Sequence, residues 1–151
     1  LQDYLKDIQT RVIDLKDYLF EGLVLKEKDF RRALKALDAA KFKEVVVLIT
    51  CTADAIIPVW AYMLLMSKLS GITQSIAIGN EADLERVLID HAINKIKWLD
   101  YSDAKVVVKG CGFVHQRDYA YAKLTQALLP HVASVMYGEP CSTVPVYKKP
   151  R

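Results

Sequence analysis

Three cysteines, Cys51, Cys111 and Cys141, are the residues whose type and placement best suit chemistry. They lie 60 and 30 residues apart, and an odd number cannot all pair within one chain. Neither feature fits a secreted disulfide framework, and no CxxC pair is present to mark a zinc knuckle. Reduced thiolates can instead bind zinc, with Asp54, His115 or water completing a tetrahedron, or they can ligate an iron–sulfur cluster. A lone thiolate can also act as a nucleophile or redox centre. Cys51-Thr52-Ala53-Asp54 reads as a helix opening, where free N–H groups and the dipole would favour a thiolate, so Cys51 is the candidate catalytic residue. Gly110-Cys111-Gly112 would let the backbone approach a bound group closely. Glu139-Pro140-Cys141-Ser142 puts the third thiol on a rigid turn. The expected metal ligands are therefore Cys51, Cys111 and Cys141, with Asp54, Glu139 and Ser142 as nearby polar groups. Against this stands the plain alternative that free cysteine is a common space-filling core residue.

The rest of the chain adds little chemistry. His91 falls at the edge of an apolar helix face and His131 at a helix end, so both read as structural. Trp60, Tyr62, Met63 and Met66 read as core or subunit interface. No serine elbow, P-loop, HExxH or dinucleotide fingerprint occurs. The 21 Lys and Arg are interleaved with 18 Asp and Glu, for a formal charge of +3. Without a clustered basic stripe, nucleic acid is not an expected partner. The longest apolar, charge-free run, residues 55–66, is about a dozen residues, short of the roughly 20 that span a bilayer. The first 20 residues carry Asp3, Lys6, Asp7, Arg11, Asp14, Lys16 and Asp17 and do not read as a secretory signal. No membrane association is expected, and the cytoplasm is the expected compartment.

The elements that must position the thiols follow from periodicity. The chain has 151 residues with 52% hydrophobic and 26% charged content, enough for one domain that buries roughly 70% of its unfolded surface without staples. The first 40 residues read as an accessory segment: a strand over 11–15, a turn over 19–25, and a helix capped by Asp29 with Phe30, Ala33, Leu34 and Leu37 on one face. Residues 44–50 form a continuous β-branched run, the mark of a strand buried on both faces. Helices are expected over 53–69, 81–97 and 118–131, with the first starting near Ile57 if Pro58 is to lie in its first turn. Strands are expected over 72–78, 105–109 and 133–137, and the tail over 142–147 reads as an extended edge. The alternation predicts one three-layer α/β domain over 1–151, with its core at 44–147. Its sheet is mostly parallel and Rossmann-like, with crossover helices. In such a sheet all three cysteines fall at the carboxyl edge, where α/β folds place ligands.

Four segments carry a family resemblance. These are residues 19–31 with Phe20-Glu21-Gly22-Leu23, 51–63 with Cys51-Thr52-Ala53-Asp54 and Pro58-Val59-Trp60, 108–112 with Lys109-Gly110-Cys111-Gly112, and 136–145 with Tyr137-Gly138-Glu139-Pro140-Cys141-Ser142. Together they resemble a bacterial family known as domain of unknown function 2480, over most of the chain from about residue 12. The amino-terminal stretch looks shortened relative to that family. Its pattern includes the three cysteines, Asp54, Trp60, Glu139 and Ser142. A proline-containing loop of the family is replaced here by Phe113-Val114-His115-Gln116-Arg117, which leaves His115 outside the site. The family's genes lie near iron–sulfur assembly genes, so the resemblance implies iron–sulfur assembly proteins as partners. Three functional readings follow: an iron–sulfur or zinc protein, a thiol enzyme centred on Cys51, or a non-catalytic assembly subunit that dimerises partly through its apolar helix over 56–66.

Overall fold

The computed structural model describes residues 2–110, 112, 114–139 and 141–150. The chain folds as two compact units, one of residues 8–87 and one of residues 1–7 with 88–151.

In the unit of residues 8–87, strand β1 (Thr10–Asp14), helix α2 (Glu27–Ala36), strand β2 (Val46–Thr50), helix α3 (Val59–Leu69) and strand β3 (Ser75–Ile78) follow one another. Helix α1 (Gln2–Lys6) precedes them in sequence and belongs to the other unit. The sheet order is β1-β2-β3, and both pairings are parallel. As its β-branched run predicts, β2 is the central strand and is buried on both faces, with Val46, Val47 and Ile49 fully inaccessible. On one face Ile13, Val47 and Ile49 join Phe30 and Leu34 of α2 and Ala61, Leu65 and Leu69 of α3 in a single core. The expected strand over 11–15 thus forms one edge of this sheet. The ring of Phe30 meets Tyr18 edge-on at 5.4 Å and Trp60 at 6.0 Å. Helix α2 begins two residues before the expected cap at Asp29, and Asp29 instead pairs with Arg32 along the first turns.

The boundary between the units falls within helix α4 (Glu81–Asn94). The other unit continues with strand β4 (Lys105–Val108), helix α5 (Arg117–Leu128), and strands β5 (Ser134–Glu139) and β6 (Ser142–Lys148). Its sheet order is β4-β5-β6. The β4 and β5 strands are parallel, and β5 and β6 are antiparallel. Only two residues separate β5 from β6, and a connection that short can make a hairpin but not a crossover. Pro145 has no N–H to donate; it lies beside the register shift at Val135/Met136, on an edge strand that tolerates it. Val106, Val108 and Val135 pack with Leu124 and Leu128 of α5, next to Val132.

Mixed α/β structure with mostly parallel pairing is therefore present. The single Rossmann-like sheet expected from the alternation is replaced by two three-stranded sheets, the second mixed. Periodicity identifies strands, but it carries no information on which strands hydrogen-bond to each other.

His91, expected as a structural residue, lies on α4. Its Nε2 is buried without a hydrogen-bond partner among the described residues. Burial, with a smaller contribution from the Lys95 charge, holds its pKa below the usual 6.5. A depressed folded-state value means that the unfolded chain takes up the proton first, so stability is lost as pH falls below about 6.5. His91→Leu is expected to remove that part of the acid loss. Urea midpoints of both proteins at pH 7.5 and 5.5 test this, and an equal drop in the two would contradict it.

Candidate functional site

The carboxyl edge of the first sheet is organised by Asp14, a residue that reading for cysteines missed. Asp14 ends β1 and caps the short 3₁₀ turn Leu15–Tyr18, its Oδ1 accepting from Lys16 N at 3.0 Å. The same carboxylate reaches across to the segment after β2. It accepts from Thr52 N at 3.1 Å and from Thr52 Oγ1 at 2.5 Å, and Lys16 Nζ lies 3.6 Å away. Its sequence signal was the aspartate at a strand end just before a turn, a common capping position. On the far side of the sheet Asn80 and Asp83 form a reciprocal cap at the start of α4. Asn80 Oδ1 accepts from Ala82 N and Asp83 N, while Asp83 Oδ2 accepts from Asn80 N. Gly79, at φ +131°, leaves room for that carboxylate, since a Cβ there would collide with Asp83 Oδ2.

Cys51 is half-buried at this edge, and its Sγ donates to the Ala53 carbonyl at 3.5 Å. The helix start expected at residues 51–54 is not there. Residues 51–58 are non-helical and α3 begins at Val59, with Pro58 as its N-cap. A proline disfavours helical geometry in the residue before it and has no N–H to continue a helix, so a helix over 53–69 cannot run through Pro58. Cys51 therefore sits beside a carbonyl acceptor, and the helix-start activation expected for a Cys51 nucleophile has no structural basis. Asp54 is exposed in the same segment.

In the other unit, the ends of β4 and β5 are held by two tyrosines and an ion pair. Tyr121 Oη donates to the Lys109 carbonyl at 3.3 Å, and its ring meets Tyr137 edge-on at 5.5 Å. The Tyr137 hydroxyl occupies the space beside Gly110, where a Cβ would be 2.6 Å from it. The close approach expected of this glycine is thus filled by the protein's own side chain. Lys109 Nζ lies 3.7 Å from Glu139 Oε2, which joins the two strand ends. Gly138, at φ +125°, brings the chain against β6, where a Cβ would collide with the Ser142 carbonyl oxygen. Ser142 pairs with Glu139 across the hairpin, and Cys141 is a free, exposed thiol between the two strands. Cys111 lies outside the described residues, and His115 is exposed on the segment that follows it.

The structure thus brings Glu139, Ser142 and Cys141 to one hairpin, at the sheet whose β4 leads toward Cys111. Cys51 and Asp54 belong to the edge of the other sheet. Among the described residues no three His, Cys, Asp or Glu side chains gather as a metal site.

These features define a mixed α/β protein whose thiols follow the carboxyl ends of parallel strands. The chain belongs to the family described as Protein of unknown function (DUF2480), whose model matches residues 1–149. No curated protein and no solved structure matches it. No helix among the described residues is long and apolar enough to cross a membrane.

Burial pushes the Asp14 carboxyl upward, but the bonds from Thr52 and Lys16 outweigh it and hold its pKa below the usual 3.8. A depressed folded-state value contributes stability above the unfolded pKa, and that contribution disappears as pH falls through the folded one. Asp14→Asn is expected to cost about 1–2 kcal/mol at pH 7 and clearly less at pH 3. Urea denaturation at the two pH values checks this; the same cost at both would show that the carboxylate charge is not what holds the segment.

Proposed function

We propose that the chain is a metal-binding protein that holds zinc or an iron–sulfur cluster through cysteine thiolates. Cys111 and Cys141 are the ligands supplied by its second sheet; Cys51, expected as a third, lies in the unit of residues 8–87. The observation that carries this reading is the Lys109–Glu139 ion pair across β4 and β5. In sequence Cys111 follows Lys109 by two residues and Cys141 follows Glu139 by two, and the pair joins the ends of neighbouring strands about 4.8 Å apart. Two thiolates leaving neighbouring parallel strands suit a shared metal, and strand carboxyl ends are where α/β folds place ligands. Glu139 and Ser142 are polar neighbours in this reading, and Asp54 is the polar neighbour of Cys51 in the other unit. Reduced thiols suit a cytoplasmic setting, and iron–sulfur assembly proteins are the partners of a cluster-bearing form.

Anaerobic purification with measurement of iron, zinc and sulfide per chain tests the proposal, alongside Cys111→Ala and Cys141→Ala, with Cys51→Ala for comparison. Cys111→Ala and Cys141→Ala are each expected to release most of the metal, and acid should release it from the parent protein as thiolates protonate. Full metal retention in both of these variants, or no metal after reconstitution, overturns the reading.

A second reading, assembly through a homodimer, draws on α3. Val59 and Met63 of α3 are 74% and 67% exposed, and Ile56 just before it is 92% exposed, while Ala61, Leu65 and Leu69 of the helix are buried. Val59 and Met63 are one helical turn apart, and exposed apolar groups so spaced suit a partner helix. Sedimentation is expected to show a concentration-dependent dimer that Met63→Lys dissociates. A monomer at every concentration would remove this reading.

A further inference from the structure

We propose that the cleft between β4 and α5 binds a small organic anion with an apolar body, its charged head at Arg117. The cleft encloses about 360 Å³, within the range of roughly 300–1,000 Å³ usual for small-molecule sites. Val106 and Val108 of β4 and Leu124 and Leu128 of α5 form its apolar walls, with the Trp98 ring among the remaining lining groups. Trp98 is stacked on His131 at 6.1 Å and 10°, so it presents a fixed aromatic face.

The charged lining is one-sided. Arg117 and Lys109 both line the cleft, and no carboxylate does among the described residues. Lys109 already has Glu139 at 3.7 Å, whereas Arg117 has no ion-pair partner among the described residues. Arg117 is also the first residue of the 12-residue α5, so the partial positive charge of the helix start lies at the same end. Apolar walls alone would accept any greasy molecule. An uncompensated guanidinium at one end selects an anion, and its planar fork matches a carboxylate best. This inference stands apart from the thiol reading, because among the described residues no cysteine contributes to the lining it uses.

Octanoate and octylamine, of equal chain length and opposite charge, are the probes, titrated into the full chain by calorimetry while tryptophan emission is followed. Octanoate is expected to bind saturably at one site per chain and to shift the emission, and octylamine at least tenfold more weakly. Arg117→Gln is expected to weaken octanoate about tenfold, the usual scale for losing one charge-assisted contact. Arg117→Lys should recover most of that loss. Arg117 is exposed, so neither substitution threatens the fold, and circular dichroism of both variants confirms this. Equal affinity for the two probes, no saturable octanoate binding, or an unchanged Arg117→Gln protein would overturn the proposal.

Discussion

The unit of residues 8–87 depends on burying one strand completely. β2 is hydrogen-bonded on both edges, by β1 and β3, and its side chains are buried on both faces. A strand so placed can leave no backbone group unpaired and admits no polar side chain without a partner. Its residues from Val46 to Ile49 meet that demand, and polar character returns only at Thr50, where the sheet reaches its edge. Everything that follows β2 begins from this transition. The chain emerges at a fixed place, and Asp14 on the neighbouring strand is there to accept from Thr52. The carboxylate thus does for the segment after β2 what hydrogen bonding does for the strand itself.

The other unit solves a similar problem by different means. β4 has one sheet neighbour in its ladder, and β5 is its centre, flanked by a parallel and an antiparallel partner. The end of β4 is secured by side chains: a tyrosine hydroxyl on the Lys109 carbonyl, a second tyrosine against Gly110, and an ion pair to Glu139. Gly110 and Gly138 serve different needs here. Gly138 supplies a backbone angle that other residues rarely adopt and a close approach to the Ser142 carbonyl, while Gly110 makes way for a ring.

Much of this was legible in the residue pattern. Every strand of the two sheets lies where β-branched runs or alternation placed one; α3 and α4 lie within the expected helical windows, and α5 starts one residue before its window. What the pattern could not carry was pairing. Val46 to Ile49 and Lys105 to Val108 look alike as apolar strands, yet they belong to different sheets. The antiparallel β6 was more accessible, since the short interval from Glu139 to Ser142 allows only a hairpin. The start of α3 could be read from Pro58, and the reading of Cys51 at a helix opening overlooked it. Asp14 was missed because, beside the local cap it gives its own turn, its second role holds Thr52, 38 positions away. The cleft was invisible for the same reason: Trp98, Val106 and Arg117 form no motif, and only the fold brings them together.

One side chain relates the cleft to the thiol-bearing edge. Tyr121 lines the cleft with its ring and donates its hydroxyl to the carbonyl of Lys109, two residues before Cys111. A molecule filling the cleft would contact the ring of a residue whose hydroxyl holds the end of β4. Any shift of Tyr121 must also be accommodated by Tyr137, which packs against it and against Gly110. Both residues also border a hollow of about 470 Å³, so the coupling runs through the Tyr121 hydroxyl bond and not through tight packing. The cleft and the end of β4 therefore share Tyr121, although they differ in chemistry: an apolar hollow with a guanidinium at its lining on one side, and a backbone carbonyl held by a hydroxyl on the other.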